Sequence, residues 1–83
     1  MSAVRITVLY FAGLREKAGR AEAVEEVAPG TTAGALWEAL RARPALAGTG
    51  AAVGLAVNGR WSGPDRVLAD GDTLALLPPV SGG

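Results

Sequence analysis

Between Val4 and Phe11 the chain alternates, with Val4, Ile6, Val8 and Tyr10 on one face and Arg5, Thr7, Leu9 and Phe11 on the other, the period of two that a strand imposes. The first face reads as core throughout. The second begins polar and ends apolar at Leu9 and Phe11, so the far end of this strand is expected to meet something besides water. Ala12 to Ala18 has room for one or two helical turns around Leu14, with Arg15, Glu16 and Lys17 toward solvent. A second strand fits Ala21 to Val27. Pro29-Gly30 closes it, because proline presets the turn dihedral and glycine accepts a positive φ.

Thr32 is placed to cap a helix from Ala33 to Arg43, in which Leu36 and Leu40 share a face with Ala33 and Ala39 beside them. Pro44 is expected to stop it, and Arg41 and Arg43 in the last turn suit the negative end of the helix dipole. Ala45 to Gly54 is rich in Ala and Gly, with no periodicity and no match to a dinucleotide or phosphate loop. Leu55 and Val57 begin a third strand that ends at Asn58-Gly59, a strong hairpin signal, with Arg60 and Trp61 starting the return. Asp70-Gly71-Asp72 reads as a surface turn, since the later ligands of a calcium loop are missing. Thr73 to Leu77 is the last strand, with Leu74 and Leu76 on one face and Thr73, Ala75 and Leu77 on the other.

Strand, strand, helix, strand, short strand, strand predicts an α+β domain: a mixed sheet with one principal helix and a short helix, the layout of a β-grasp or ubiquitin-like fold. Fold alone gives no function, because this one serves modifiers, carriers and passive modules alike. At 83 residues the chain is one domain, expected over 1–77 with an extended flexible Gly-Gly tail over 78–83. Eight Lys+Arg balance eight Asp+Glu, evenly in both halves, which argues against nucleic acid as a partner. No Cys and no His means no disulfide, no thiolate or imidazole metal site and no usual general base. Catalysis by its own side chains is not expected. Neither a signal sequence nor a membrane span is apparent, so the expected location is the cytoplasm, away from membranes.

The tail carries the most distinctive chemistry. Pro78 and Pro79 fix an extended backbone and cannot continue the ladder, so Pro78-Pro79-Val80-Ser81-Gly82-Gly83 should leave the sheet as an arm of roughly 20 Å. No charged side chain occurs from Thr73 to Gly83, and the last two residues have no side chain at all. Such an arm can thread a narrow channel with its carboxyl carbon sterically open. A carboxylate at neutral pH is ionised and a poor electrophile, so its use requires activation, most simply as an acyl-adenylate made from ATP by another protein.

The run Asp70-Gly71-Asp72-Thr73-Leu74-Ala75-Leu76-Leu77-Pro78-Pro79-Val80-Ser81-Gly82-Gly83 resembles the C-terminal signature of the MoaD family, the small sulfur-carrying subunits of molybdopterin synthase. Tyr10-Phe11-Ala12-Gly13-Leu14-Arg15-Glu16 resembles that family's first strand and following helix, and Ala56-Val57-Asn58-Gly59 its central hairpin. The resemblance implies that Gly83 is adenylated by a partner related to ubiquitin-activating enzymes and then converted to a thiocarboxylate. It implies that the arm enters the large synthase subunit, within a heterotetramer, and gives its sulfur to cyclic pyranopterin monophosphate. On this reading the chain binds no metal and no cofactor of its own, and the ATP is used by the activating partner.

A carrier must also dock. Phe11, Trp61 and Leu77 lie off the inferred core faces or at a strand end, and are expected to form an apolar patch at the root of the arm, with Arg60 and Arg66 solvated. Three other readings remain open: a related thiocarboxylate carrier feeding thiazole synthesis or tRNA thiolation, a ubiquitin-like modifier joined through Gly83 to a target lysine, and a passive binding domain.

Overall fold

The computed structural model describes residues 3–50 and 52–79. In chain order it has β1 (Val4–Tyr10), α1 (Ala12–Ala18), β2 (Glu22–Val27), α2 (Ala33–Arg41), a single 3-10 turn (Pro44–Leu46), β3 (Gly54–Val57), β4 (Arg60–Ser62) and β5 (Thr73–Leu77). The five strands form one mixed sheet in the order β2-β1-β5-β3-β4. The central pair, β1 and β5, is parallel, and the β1–β2, β3–β5 and β3–β4 pairs are antiparallel. The first and last strands of the chain therefore lie side by side at the middle of the sheet.

The alternation in β1 sends Ile6, Val8 and Tyr10 to the helix side, where they join Leu74 and Leu76 of β5 and Leu55 and Val57 of β3. Leu36, Trp37 and Leu40 of α2 cover this layer, and Leu14, Leu46 and Leu68 close its margins. Burying each of these large side chains contributes about 1.5–3 kcal/mol, so this one layer supplies most of the driving force for folding. The Thr32 hydroxyl accepts from the Ala35 amide at 3.1 Å and starts α2 as expected.

Helix α2 ends two residues earlier than its periodicity predicts. Arg43 is extended, with φ −73° and ψ 147°, because the ring of a following proline disfavours helical backbone in the residue before it. Pro44 thus acts through Arg43, and then opens the 3-10 turn that carries Leu46 into the core. Periodicity could not reveal an element this short. Arg43 is not a last-turn helix cation: its guanidinium donates to both carboxylate oxygens of Glu25 on β2, at 3.0 and 2.7 Å. Strand β2 itself begins at Glu22 rather than Ala21, although the Ala21 carbonyl still accepts from the Tyr10 amide at 2.8 Å.

Asn58 and Gly59, at φ 52° and 82°, make the two-residue turn between β3 and β4, the left-handed pair that suits the twist of a hairpin. The Asp70-Gly71-Asp72 turn is present, but Asp72 is not a surface residue. Its buried carboxylate accepts from the Asn58 side-chain amide at 2.9 Å and from the Ala69 backbone amide at 2.8 Å. The Asn58 side-chain oxygen in turn accepts from the Thr73 amide at 2.9 Å. One hydrogen-bonded knot ties the hairpin to the start of β5. The Ala69 hydrogen bond, and then that of Asn58, holds the Asp72 carboxyl below the usual carboxylate range.

Candidate docking face and arm root

The outer face of the sheet, opposite the helices, is defined by register. Leu9 pairs with Ala75, Ala75 with Ala56, and Ala56 with Trp61. Directly paired residues point to the same side, so these four side chains form an apolar row across β1, β5, β3 and β4. Two residues further along β5, Leu77 pairs with Gly54 of β3. Phe11 follows the last paired residue of β1 and keeps extended backbone, φ −123° and ψ 154°. The strand alternation therefore carries its ring to the outer face beside Leu77, before Ala12 turns the chain at φ 49°.

Trp61 crosses from its own strand to this second row. A Cβ built on Gly54 would lie 2.5 Å from its Cζ3 and 3.2 Å from its Cη2, so the ring edge occupies the space a side chain at 54 would need. The same point is 3.5 Å from the Leu77 carbonyl. The Trp61 ring and the end of β5 at Leu77 thus meet at Gly54, and Phe11 continues β1 on the same face. Phe11 is 42% exposed and Trp61 75% exposed, the latter large for an indole in a folded domain. Leu77 and Pro78 are half-buried and Pro79 is exposed. Val80, Ser81, Gly82 and Gly83 lie outside the described residues.

Reading the sequence missed Gly54 and under-read Leu9, Ala75 and Ala56. Leu9 carried a signal, being an apolar residue on the polar face of β1. Gly54 carried none, because its meaning comes from a ring seven residues away. Arg60 and Arg66 are exposed, as expected. Lys17 is exposed too, and its Nζ reaches the Thr49 hydroxyl at 3.3 Å. Among the described residues no three His, Cys, Asp or Glu side chains come together as metal ligands would. No helix among them is long and apolar enough to cross a membrane.

A mixed sheet with a parallel central pair and a helix packed on one face defines the ubiquitin-like β-grasp class. Within that class the chain belongs to the ThiS family, whose model matches residues 8–83. It is 39% identical over 83 residues to the molybdopterin synthase sulfur carrier subunit of Chlamydomonas reinhardtii, with 96% of this chain and all of that protein covered. Among solved structures it resembles the small archaeal modifier protein 1 of Haloferax volcanii, at 31% identity and a TM-score of 0.79, over 93% of this chain and 99% of that one. The fold also matches a chain from the complex of subunits 1 and 2 of the molybdopterin-converting factor of Helicobacter pylori, with a TM-score of 0.69 at 22% identity, covering 96% of this chain and all of that one.

Proposed function

We propose that this chain is the sulfur-carrying subunit of a molybdopterin synthase, with the Gly83 carboxylate as the group that carries the sulfur. The family match through residue 83, together with the likeness to a sulfur carrier subunit along the whole chain, is the observation that carries the reading. The division of labour follows from the residues. A chain without Cys or His is poorly equipped to run acyl or sulfur chemistry itself, whereas a side-chain-free end is well suited to be carried into another protein's active site.

Activation joins the Gly83 carboxylate to the α-phosphorus of ATP and releases pyrophosphate, in an adenylyltransferase related to ubiquitin-activating enzymes. Attack of hydrosulfide on the acyl carbon then forms the carbon–sulfur bond, expels AMP and, with loss of a proton, leaves a thiocarboxylate. In the large synthase subunit the thiocarboxylate sulfur bonds to carbon of cyclic pyranopterin monophosphate, and water then attacks the Gly83 acyl carbon, breaks the acyl carbon–sulfur bond and restores the carboxylate. No cofactor belongs to this chain in that sequence, and the ATP belongs to the activating partner. The face formed by Leu9, Phe11, Ala56, Trp61, Ala75 and Leu77 docks the large subunit while the arm is inserted. The subunit complex known for the Helicobacter pylori protein supports a partner of this kind.

The decisive experiment is the intact mass of this chain after incubation with ATP, a sulfur source and a purified adenylyltransferase, with the change localised by fragmenting the C-terminal peptide. Replacement of one terminal oxygen by sulfur at Gly83 is the expected result. Its absence with an adenylyltransferase that charges another carrier of the family would overturn the proposal. Attachment of Gly83 to a lysine amine instead would favour the modifier reading, which the likeness to the small archaeal modifier protein makes the second choice.

A further inference from the structure

We propose that Gly54 and Trp61 work as a matched pair that presets the docking face: the bare backbone at 54 seats the edge of the Trp61 ring at the root of the arm, so that the partner receiving the arm meets an indole already in place. The proposal rests on the reading of the outer face as the docking surface for the large subunit, and adds to it a residue with no side chain to make contact.

Three observations carry it. The ring is 75% exposed, yet its Cζ3 stands 2.5 Å from where a Cβ on Gly54 would be. An exposed Trp with one edge held against backbone differs from a freely rotating one, because docking then orders a side chain that is already ordered. Second, Gly54 has no left-handed backbone to explain it: positive φ among the described glycines occurs at Gly19, Gly30, Gly48, Gly59 and Gly71. An L-residue could follow the same backbone, and a glycine inside a strand weakens it. The obstacle to a side chain at 54 is the Trp61 ring. Third, Gly54 is the strand partner of Leu77, the last residue of β5 before Pro78. The ring is thus referenced to the point from which the arm departs, and a pocket that accepts the indole sets the direction from which the arm enters.

The kind of partner follows. Its surface must offer an apolar pocket wide enough for an indole, next to the mouth of a channel for the arm. Trp is among the residues most enriched at binding hot spots, and a ring with one edge seated and most of its surface exposed suits that role.

The test is a double-mutant cycle of Gly54→Ala and Trp61→Ala, read as affinity for the purified large synthase subunit, with thermal melting of each variant. Trp61→Ala is expected to weaken binding about thirtyfold or more. Gly54→Ala is expected to weaken it about tenfold in the Trp61 background and to have no further effect once Trp61 is Ala. Melting of Gly54→Ala should be unchanged or slightly raised, since Ala replaces Gly in a strand. A Trp61→Ala protein that binds normally would overturn the docking reading and this inference with it. Normal binding by Gly54→Ala beside a weakened Trp61→Ala would overturn the inference alone, as would equal losses from Gly54→Ala in both backgrounds. Independently of any partner, the free protein should show a nuclear Overhauser contact between the Trp61 ring edge and the Gly54 α-protons, and its absence would overturn the seat.

Discussion

The two tryptophans divide the molecule. Trp37 on α2 is 3% exposed, locked among Leu36, Leu40 and the inner face of the sheet, whereas Trp61 on β4 is 75% exposed on the opposite face. Residue type is the same and the physical roles are opposite. Trp37 is removed from water by the chain's own folding and contributes stability. Trp61 keeps most of its apolar surface in water, and that unspent hydrophobic free energy becomes available only when a partner covers it. The lesson extends along β5, where Leu74 and Leu76 are fully buried while Ala75 and Leu77 are only half covered. One strand supports the core with one face and leaves a partly covered apolar surface on the other.

The largest effect is expected from the C-terminal residues. Deleting Gly83 should reduce sulfur transfer to background while leaving the melting temperature and large-subunit affinity close to those of the full chain. Transfer assays on the truncated chain read the first, and normal activity would remove the carrier mechanism. Next in size is Trp37→Ala, expected to cost about 3–5 kcal/mol of stability, a large share of what a domain this small possesses. Denaturant titration measures it. The corresponding change on the outer face, Trp61→Ala, should alter stability by no more than about 0.5 kcal/mol. A large loss there would mean that Trp61 belongs to the core after all.

Asp72 sharpens the comparison from the side of the turn that launches β5. Replacing it by Ala strands the Ala69 amide and the Asn58 side chain, at a cost of about 1–2 kcal/mol. The pH dependence has a definite sign. Its carboxyl is held below its ordinary value in the folded protein, so the native state favours the ionised form. The associated stability is complete above the ordinary carboxylate range, near pH 4, and is lost as pH falls through the lowered folded value. Denaturant titrations from neutral pH to about pH 2 should therefore show a shallower acid decline for Asp72→Ala than for the natural chain. Arg43→Ala is also expected to be small. The Arg43 side chain is 52% exposed, but the Glu25 side chain it leaves without that partner is only 14% exposed, so the loss is about 1 kcal/mol.

Much of this architecture was legible because each signal was local. Alternation in β1 and β5, the Thr32 cap and Asn58-Gly59 act through neighbours in the chain, and their consequences follow from backbone sterics and side-chain periodicity. The apolar end of the polar face of β1, at Leu9 and Phe11, even pointed to a surface beyond the core. Where local reading failed, a non-local contact intervened. Asp72 looked like solvent-facing turn chemistry until the hairpin brought Asn58 to it from 14 residues away. Arg43 looked like a helix-end cation until Pro44 straightened it toward Glu25, 18 residues distant.

By itself, then, the sequence determined the order and type of the five strands and two α-helices and the core faces of the central strands, all set by near-neighbour sterics and hydrophobic period. The sequence also pointed to Phe11, Trp61 and Leu77 as outer apolar positions, and tertiary structure added Leu9, Ala56, Ala75 and the bare backbone at Gly54. The pairing of β5 with both β1 and β3, and of β3 with β4, brings Leu77, Gly54 and Trp61 together on the face that Phe11 continues, because strand order and register join residues that no period along the chain relates.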